Sequence, residues 1–350
     1  MLKFAFLGAW HSHAVMHVRE AAERPEEFEL VGMYDADAEV IKRNQEKWEE
    51  YGLDIPVFET IEEVLGSEAG AVVVEGHVYQ NLDYVEQALN AGKHVLMEKP
   101  AGVDLVQLEK VHGLAEEQGL VLQMAYMWRY NPAVDEMLSL VREGVVGQVF
   151  LYRGHIPKPL GWHKELCGEY AAYYGGVYFE MAGHLVDLLV AIMGEPVEVK
   201  GVLGKHYGER GEGGGGGGVV GEHDGERGEV DNAVVVHECR DGIGIVDTAA
   251  MQVGMDRRIE VHGTGGMILH EPLGSNRLRI YLAEGTEKYR AGEWQDVEVE
   301  AGVEFPSLLR ELAACIRGDK EWGFSLEHDR AVQRTLFRGC GIESNALRKG

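Results

Sequence analysis

Basic residues are scarce in this chain. Across 350 residues, 33 lysines and arginines face 59 aspartates and glutamates, for a formal net charge of −26. A nucleic-acid partner is excluded on that ground, because neutralising phosphates needs a basic face. An anionic cofactor must then be held by local dipoles against the overall field. Cysteine is equally sparse. Cys167, Cys239, Cys315 and Cys340 are scattered without a C-x-x-C pair, so neither a disulfide framework nor a zinc site is expected, and reduced thiols are the default. Long apolar runs and a secretion signal are also lacking, which points to a cytoplasmic protein with no membrane partner. What remains is an ordinary 45% hydrophobic content, in a chain long enough for two domains with cores of their own.

The first half alternates. Strand-like runs at 3–7, 29–34, 71–75, 94–98 and 121–126 are separated by amphipathic stretches at 14–23, 38–51, 79–91 and 105–118. That rhythm predicts a doubly wound parallel sheet with right-handed crossovers over residues 1–128. A helix over 133–143 leads into a second domain, 129–350. There, strand-like runs at 148–156, 197–203, 232–239, 243–249, 258–262, 267–271 and 277–281 are joined by turn signals, with Asp241-Gly242 the clearest hairpin. One long helix over 177–193 interrupts them, and helices at 307–316 and 327–336 close the chain. A large, mostly antiparallel open-faced sheet in an α+β domain is the expectation. The stretch 204–228, with six glycines at 213–218, reads as a disordered insertion rather than a phosphate-cradling loop.

Three places carry chemistry. In Gly92-Lys93-His94-Val95-Leu96-Met97-Glu98-Lys99-Pro100, a buried strand delivers Glu98 and Lys99 to its carboxyl end, where ligands sit in open α/β sheets. The first strand ends in Gly8-Ala9-Trp10-His11-Ser12-His13 and opens a helix, the place of a dinucleotide fingerprint, although only Gly8 of its three glycines is present. Helix-start N–H groups there offer an anion site, with Ser12 or a histidine adding a donor. The alternative is a plain turn capped by Ser12. A metal site from His11 and His13 is not expected, because no third ligand is spaced to join them. Asp35, ending the second strand, suits a ribose-binding carboxylate or a helix cap. With Ala36-Asp37 following and no arginine, NAD is favoured over NADP. Lastly, Glu180, His184 and Asp187 fall on one helix face at spacings of four and three. That pattern suits either a tuned acid/base histidine or a buried polar seam.

On these residues the chain resembles the Gfo/Idh/MocA oxidoreductases, which include inositol dehydrogenases and glucose–fructose oxidoreductase. The resemblance also rests on Arg129-Tyr130-Asn131-Pro132, on Gly175-Gly176 through Asp187, and on Arg258-Ile259-Glu260-Val261-His262-Gly263-Thr264. It implies an N-terminal Rossmann domain and a C-terminal sheet that forms a homodimer or homotetramer. It implies Lys99 polarising a substrate oxygen, His184 as acid/base, Glu180 assisting and Asp187 orienting His184. Asn81 stands where a cofactor-side histidine is common, and Ala182 replaces a usual glycine. Pro100 and Arg129 fall on the cofactor side, and Trp162, His163, Lys164, Tyr173 and Tyr174 on the substrate side, where each also has a packing or surface reading. Hydride transfer between a secondary alcohol of a sugar, inositol or related polyol and the nicotinamide is the implied activity. Redox-neutral recycling of the dinucleotide and a non-catalytic dinucleotide sensor are the alternatives.

Overall fold

The computed structural model describes residues 1–158, 169–170, 172–204, 218–219, 230–250, 252, 254–300, 307–321 and 323–342. The chain divides into two compact units, Met1–Tyr126 with Ser307–Arg330, and Met127–Pro306 with Ala331–Gly350. The segment 307–330 thus packs with the first unit, whereas the sequence reading runs it with the second domain. No helix among the described residues is long and apolar enough to cross a membrane.

The first unit is a five-stranded parallel sheet. Its strands are β1 (Leu2–Leu7), β2 (Phe28–Tyr34), β3 (Ala71–Val74), β4 (His94–Met97) and β5 (Leu122–Met124), in the order β2-β1-β3-β4-β5. β3 is buried at every position and β4 at three of four, as befits strands covered on both faces. The helices between them begin where short polar side chains satisfy their first N–H groups. Asp37 accepts from Glu39, and Asp104 accepts from Val106 and Gln107. The chain winds outward from β1 to β2 and then crosses back to β3. That reversal opens a crevice beyond the carboxyl ends of β1 and β3.

The second unit is a nine-stranded, mostly antiparallel sheet. Its strands are β6 (Val149–Pro157), β7 (Glu198–Gly204), β8 (Gly218–Val219), β9 (Asn232–Cys239), β10 (Gly242–Ala249), β11 (Arg258–Gly263), β12 (Gly266–His270), β13 (Arg277–Leu282) and β14 (Trp294–Glu298). They lie in the order β14-β13-β12-β11-β6-β10-β9-β7-β8, and only β6 and β10 run parallel. Strict alternation along β9, exposed then buried, shows a sheet covered on one face.

Three details differ from the sequence reading. The hairpin pairs Cys239 with Gly242, so Arg240 and Asp241 make the turn. Gly242 is needed instead because a Cβ there would stand 2.4 Å from the Phe150 carbonyl oxygen. The helix expected over 177–193 is two segments, Val177–Met181 and Gly183–Met193, broken at Ala182. The short helix Ile61–Gly66 and the edge strand β14 went unread. Of the 204–228 stretch, only Gly204 and the backbone of β8 lie within the described residues.

Candidate active site

Two clusters of buried polar side chains stand out, one in each unit. In the first, β1 ends in Gly8, whose φ of +81° belongs to the glycine-favouring region. A Cβ on Gly8 would lie 2.7 Å from the Gly76 Cα. The two strand ends therefore meet backbone to backbone, and Gly76 supplies closeness that the sequence fingerprint lacks. Asp35 accepts from the Ala9 N–H at 2.8 Å and the Asp37 N–H at 2.9 Å. From the following helix, Asn44 donates to the Ala9 carbonyl at 2.7 Å and Arg43 to the Trp10 carbonyl at 2.9 Å. The helix Ala14–Glu23 starts at His13 with no side-chain cap. Ser12 is exposed and does not play the capping part considered for it. Trp10 stacks on His77 at 4.4 Å, and His77 on Tyr79 at 5.5 Å.

Beneath that turn lies a buried acid–imidazole cluster. Lys99 and Glu98, at the end of β4, are 1% and 2% exposed, with nitrogen and oxygen 3.9 Å apart. The Lys99–Pro100 peptide is cis. Glu98 Oε1 lies 3.2 Å from His13 Nδ1 and 3.7 Å from His11 Nδ1. Glu75, at the end of β3, approaches His11 Nδ1 at 3.4 Å and His17 Nε2 at 3.1 Å. Burial, with the Glu98 charge beside it, pushes the Glu75 carboxyl well above the usual carboxylate range. Burial likewise holds His17 down at about 4. Glu75 and His17 were not among the candidates from sequence: one reads as a strand residue and the other as a helix residue. His11 and His13 do acquire an acidic third member, which their own spacing could not show. Asn81 is fully buried, and neither end of its amide meets a hydrogen-bond partner among the described residues. An amide so placed is costly unless a ligand satisfies it.

In the second unit the helix Gly183–Met193 lies flat on the sheet because two strands offer it glycine. A Cβ on Gly154 would meet Leu185 at 3.0 Å, and one on Gly244 would meet Leu189 at 2.2 Å. The Tyr152 hydroxyl donates to the Leu185 carbonyl at 2.9 Å and ties the helix to β6. His184, 5% exposed, packs its ring on Trp128 with centroids 4.6 Å apart. The Arg257 guanidinium stands 5.9 Å from that indole. Arg129 grips Asp187 with two nitrogens, Nε at 3.0 Å and a terminal nitrogen at 2.6 Å. The geometry thus gives Asp187 a guanidinium partner. Glu180 accepts from Lys158 at 2.9 Å. Trp128, Lys158 and Arg257 were not singled out in the sequence, since each comes to the histidine helix from a separate strand end or loop. Tyr174 is half-buried in the turn before Gly175, while Trp162, His163 and Lys164 lie outside the described residues.

A parallel sheet with a glycine-lined crevice at its switch point, followed by an open-faced α+β unit, is an arrangement of the dinucleotide-binding class. Comparison with known proteins agrees. Residues 2–126 match the model of the "Oxidoreductase family, NAD-binding Rossmann fold", and residues 134–269 match the GFO/IDH/MocA C-terminal domain. The chain belongs to the GFO/IDH/MocA oxidoreductase family.

Among curated relatives, it is 28% identical over 143 residues to dTDP-3,4-didehydro-2,6-dideoxy-alpha-D-glucose 3-reductase of Actinomadura kijaniata, covering 40% of this chain and 42% of that one. It is 27% identical over 204 residues to myo-inositol 2-dehydrogenase of Thermotoga maritima, covering 57% and 55%. These matches span about half, or less, of each relative's length. The fold is shared with UDP-N-acetylglucosamine 3-dehydrogenase GnnA from Acidithiobacillus ferrooxidans, at a TM-score of 0.74 and 18% identity, over 97% of this chain and 96% of that one.

Proposed function

We propose that the protein is an NAD-dependent dehydrogenase that oxidises a secondary alcohol of a sugar, inositol or related polyol. The observation that carries this reading is Lys99, an amine buried at the carboxyl end of a central parallel strand. Such a position is costly for a lysine and is expected where chemistry uses it. The Gly8–Gly76 cradle, the uncapped start of the helix Ala14–Glu23 and the unsatisfied Asn81 amide all fit a dinucleotide. Asp35 would accept from the ribose hydroxyls, and with Asp37 two residues on it would disfavour a 2′-phosphate. A bound nicotinamide would supply the hydride acceptor.

The protein's own residues do the rest. Lys99 donates a hydrogen bond to the substrate oxygen and stabilises the negative charge that grows there. His184 receives the hydroxyl proton, its ring fixed by Trp128. Glu180 and Lys158 act as a paired polar wall on the same helix layer, and the Arg129 fork on Asp187 holds that helix in place. Identity with the inositol dehydrogenase and the sugar-nucleotide reductase supports a polyhydroxylated substrate. On the open face of the sheet, Val202, Val234, Val236 and Ile243 are each at least 40% exposed. That apolar patch supports assembly into a homodimer or homotetramer.

The test is a dinucleotide-reduction screen over sugars, inositols and sugar phosphates, with Lys99→Ala beside the natural chain. The variant should lose about 10³-fold in kcat and keep its affinity for NAD. Unchanged turnover overturns the mechanism. Consumption of substrate without net NADH replaces it with redox-neutral chemistry on the same scaffold.

A further inference from the structure

The turn after β1 gathers imidazoles and buried carboxylates around one point. His11 Nδ1 accepts the His13 N–H at 3.3 Å, so it presents a lone pair and no proton. Two carboxylate oxygens face that same nitrogen, Glu75 Oε2 at 3.4 Å and Glu98 Oε1 at 3.7 Å. His13 Nδ1 closes the group, in a hydrogen bond with Glu98 Oε1 at 3.2 Å. One nitrogen or oxygen from each of His11, His13 and Glu98 lies within 4.8 Å of the others. Glu98 Oε1 also has the Lys99 nitrogen at 3.9 Å, so a single ammonium serves two buried carboxylates and two imidazoles.

A second observation points the same way. Glu75 and Glu98 are 0% and 2% exposed. Glu75 Oε2, the oxygen turned to His11, has no hydrogen-bond partner among the described residues, and neither has Glu98 Oε2. An orphaned buried carboxylate oxygen is rare in a finished structure and asks for a missing ligand.

We propose that His11, His13 and Glu98 bind one divalent transition-metal ion, zinc by preference, with Glu75 as the fourth ligand. The distances suit it. Ligand atoms about 2.0–2.1 Å from a tetrahedral zinc lie about 3.3–3.4 Å from each other, and three of the six edges are 3.2, 3.4 and 3.7 Å. Two imidazoles and two carboxylates form a donor set for zinc, iron(II) or manganese rather than for calcium or magnesium. The 3.3 Å bond at His11 is long enough to yield its lone pair to a metal. His17, 3.1 Å from the other Glu75 oxygen, occupies the outer position that orients a liganding carboxylate. Side chains from three separate strand ends are needed, so no sequence spacing announces the site. A dication there also places positive charge at the strand end where the proposed dinucleotide would bring its phosphates, in a chain whose net charge is −26.

The test uses the full chain, purified without a histidine tag and stripped with a chelator, in the absence of any dinucleotide. Cobalt(II) titration followed by visible absorption should saturate at one equivalent with the bands of a tetrahedral complex, and zinc should displace it. His13 is 29% exposed and lies in a turn, so His13→Gln should fold as the natural chain does, a point circular dichroism checks. It should bind cobalt at least about 100-fold more weakly, and so should Glu98→Gln. Absence of saturable binding by the folded natural chain overturns the proposal. So does unchanged affinity in a folded His13→Gln. NAD titration of the stripped protein reads the dinucleotide proposal separately, so either can fail alone.

Discussion

The two units hold their buried acids in opposite ways. In the second, Asp187 takes a two-armed guanidinium at 2.6 and 3.0 Å, and Glu180 takes an amine at 2.9 Å. In the first, Glu75 and Glu98 both look toward imidazoles, with the Lys99 nitrogen at 3.9 Å from Glu98. A matched pair offsets much of its own desolvation, whereas an unmatched acid gives up its charge or awaits a cation. Glu75 shows the second outcome in its raised carboxyl. The contrast is one of partners: the acids of the second unit have close cations, whereas Glu75 meets only imidazoles and Glu98 shares the more distant amine proposed to act on substrate.

The largest effect expected outside catalysis comes from breaking a matched pair. Asp187→Asn leaves the Arg129 guanidinium, whose side chain is 0% exposed, without its anion. The cost should be about 3–5 kcal/mol, seen as a lowered urea midpoint with an unchanged slope. A loss below 1 kcal/mol would show that the fork contributes little, and the comparison would lose one of its two sides.

Acid should act on both units alike. His112 in the first unit and His237 in the second are each held down at about 4 by burial. Their folded values lie below the ordinary 6.5, so between about pH 6.5 and pH 4 the unfolded chain binds more protons. Stability is therefore complete above that window and falls as pH drops through it, by about 3 kcal/mol per histidine. Replacing His112 by Gln should flatten the slope by up to one proton, about 1.4 kcal/mol per pH unit, in equilibrium unfolding measured across pH 4–7. A slope unchanged by that substitution would mean that His112 titrates normally.

How much of this was legible follows from the range of the signal. The five parallel strands were readable because β3 and β4 are buried runs closed by turn residues, and helix phases are local. Lys99 stood out because a charge ended an apolar strand. The helix over 177–193 looked continuous because its apolar pattern runs on either side of Ala182 and Gly183, and one glycine without a proline does not by itself end a helix. β14, with its Trp294 and Glu298 ends both exposed, carries an edge-strand pattern too polar to be noticed. The acid–imidazole cluster was invisible for a deeper reason. Its members leave β1, β3 and β4 at residues 11–17, 75 and 98, and only the strand order β1-β3-β4 brings them together. Asp187 and Arg129 are likewise 58 residues apart, so a fork between them cannot be read from spacing.

The smallest effect is the most diagnostic for the first unit. Glu75→Gln replaces a carboxyl with an amide of the same shape, and in metal-stripped protein it should change stability by less than about 1.5 kcal/mol. His17, neutral at ordinary pH, faces Glu75 Oε1 at 3.1 Å, and an amide can meet either ring tautomer by turning over. The sign depends on pH. Because the folded carboxyl titrates above its unfolded value, the natural chain loses stability as pH rises from about 4.5 toward that raised value. Glutamine has no such penalty, so the variant should gain on the natural chain with increasing pH, with unfolding midpoints compared at pH 5 and pH 8. A variant that instead weakens steadily toward pH 8 would mean that Glu75 is a stabilising anion, matched like Asp187, and the contrast between the two units would dissolve.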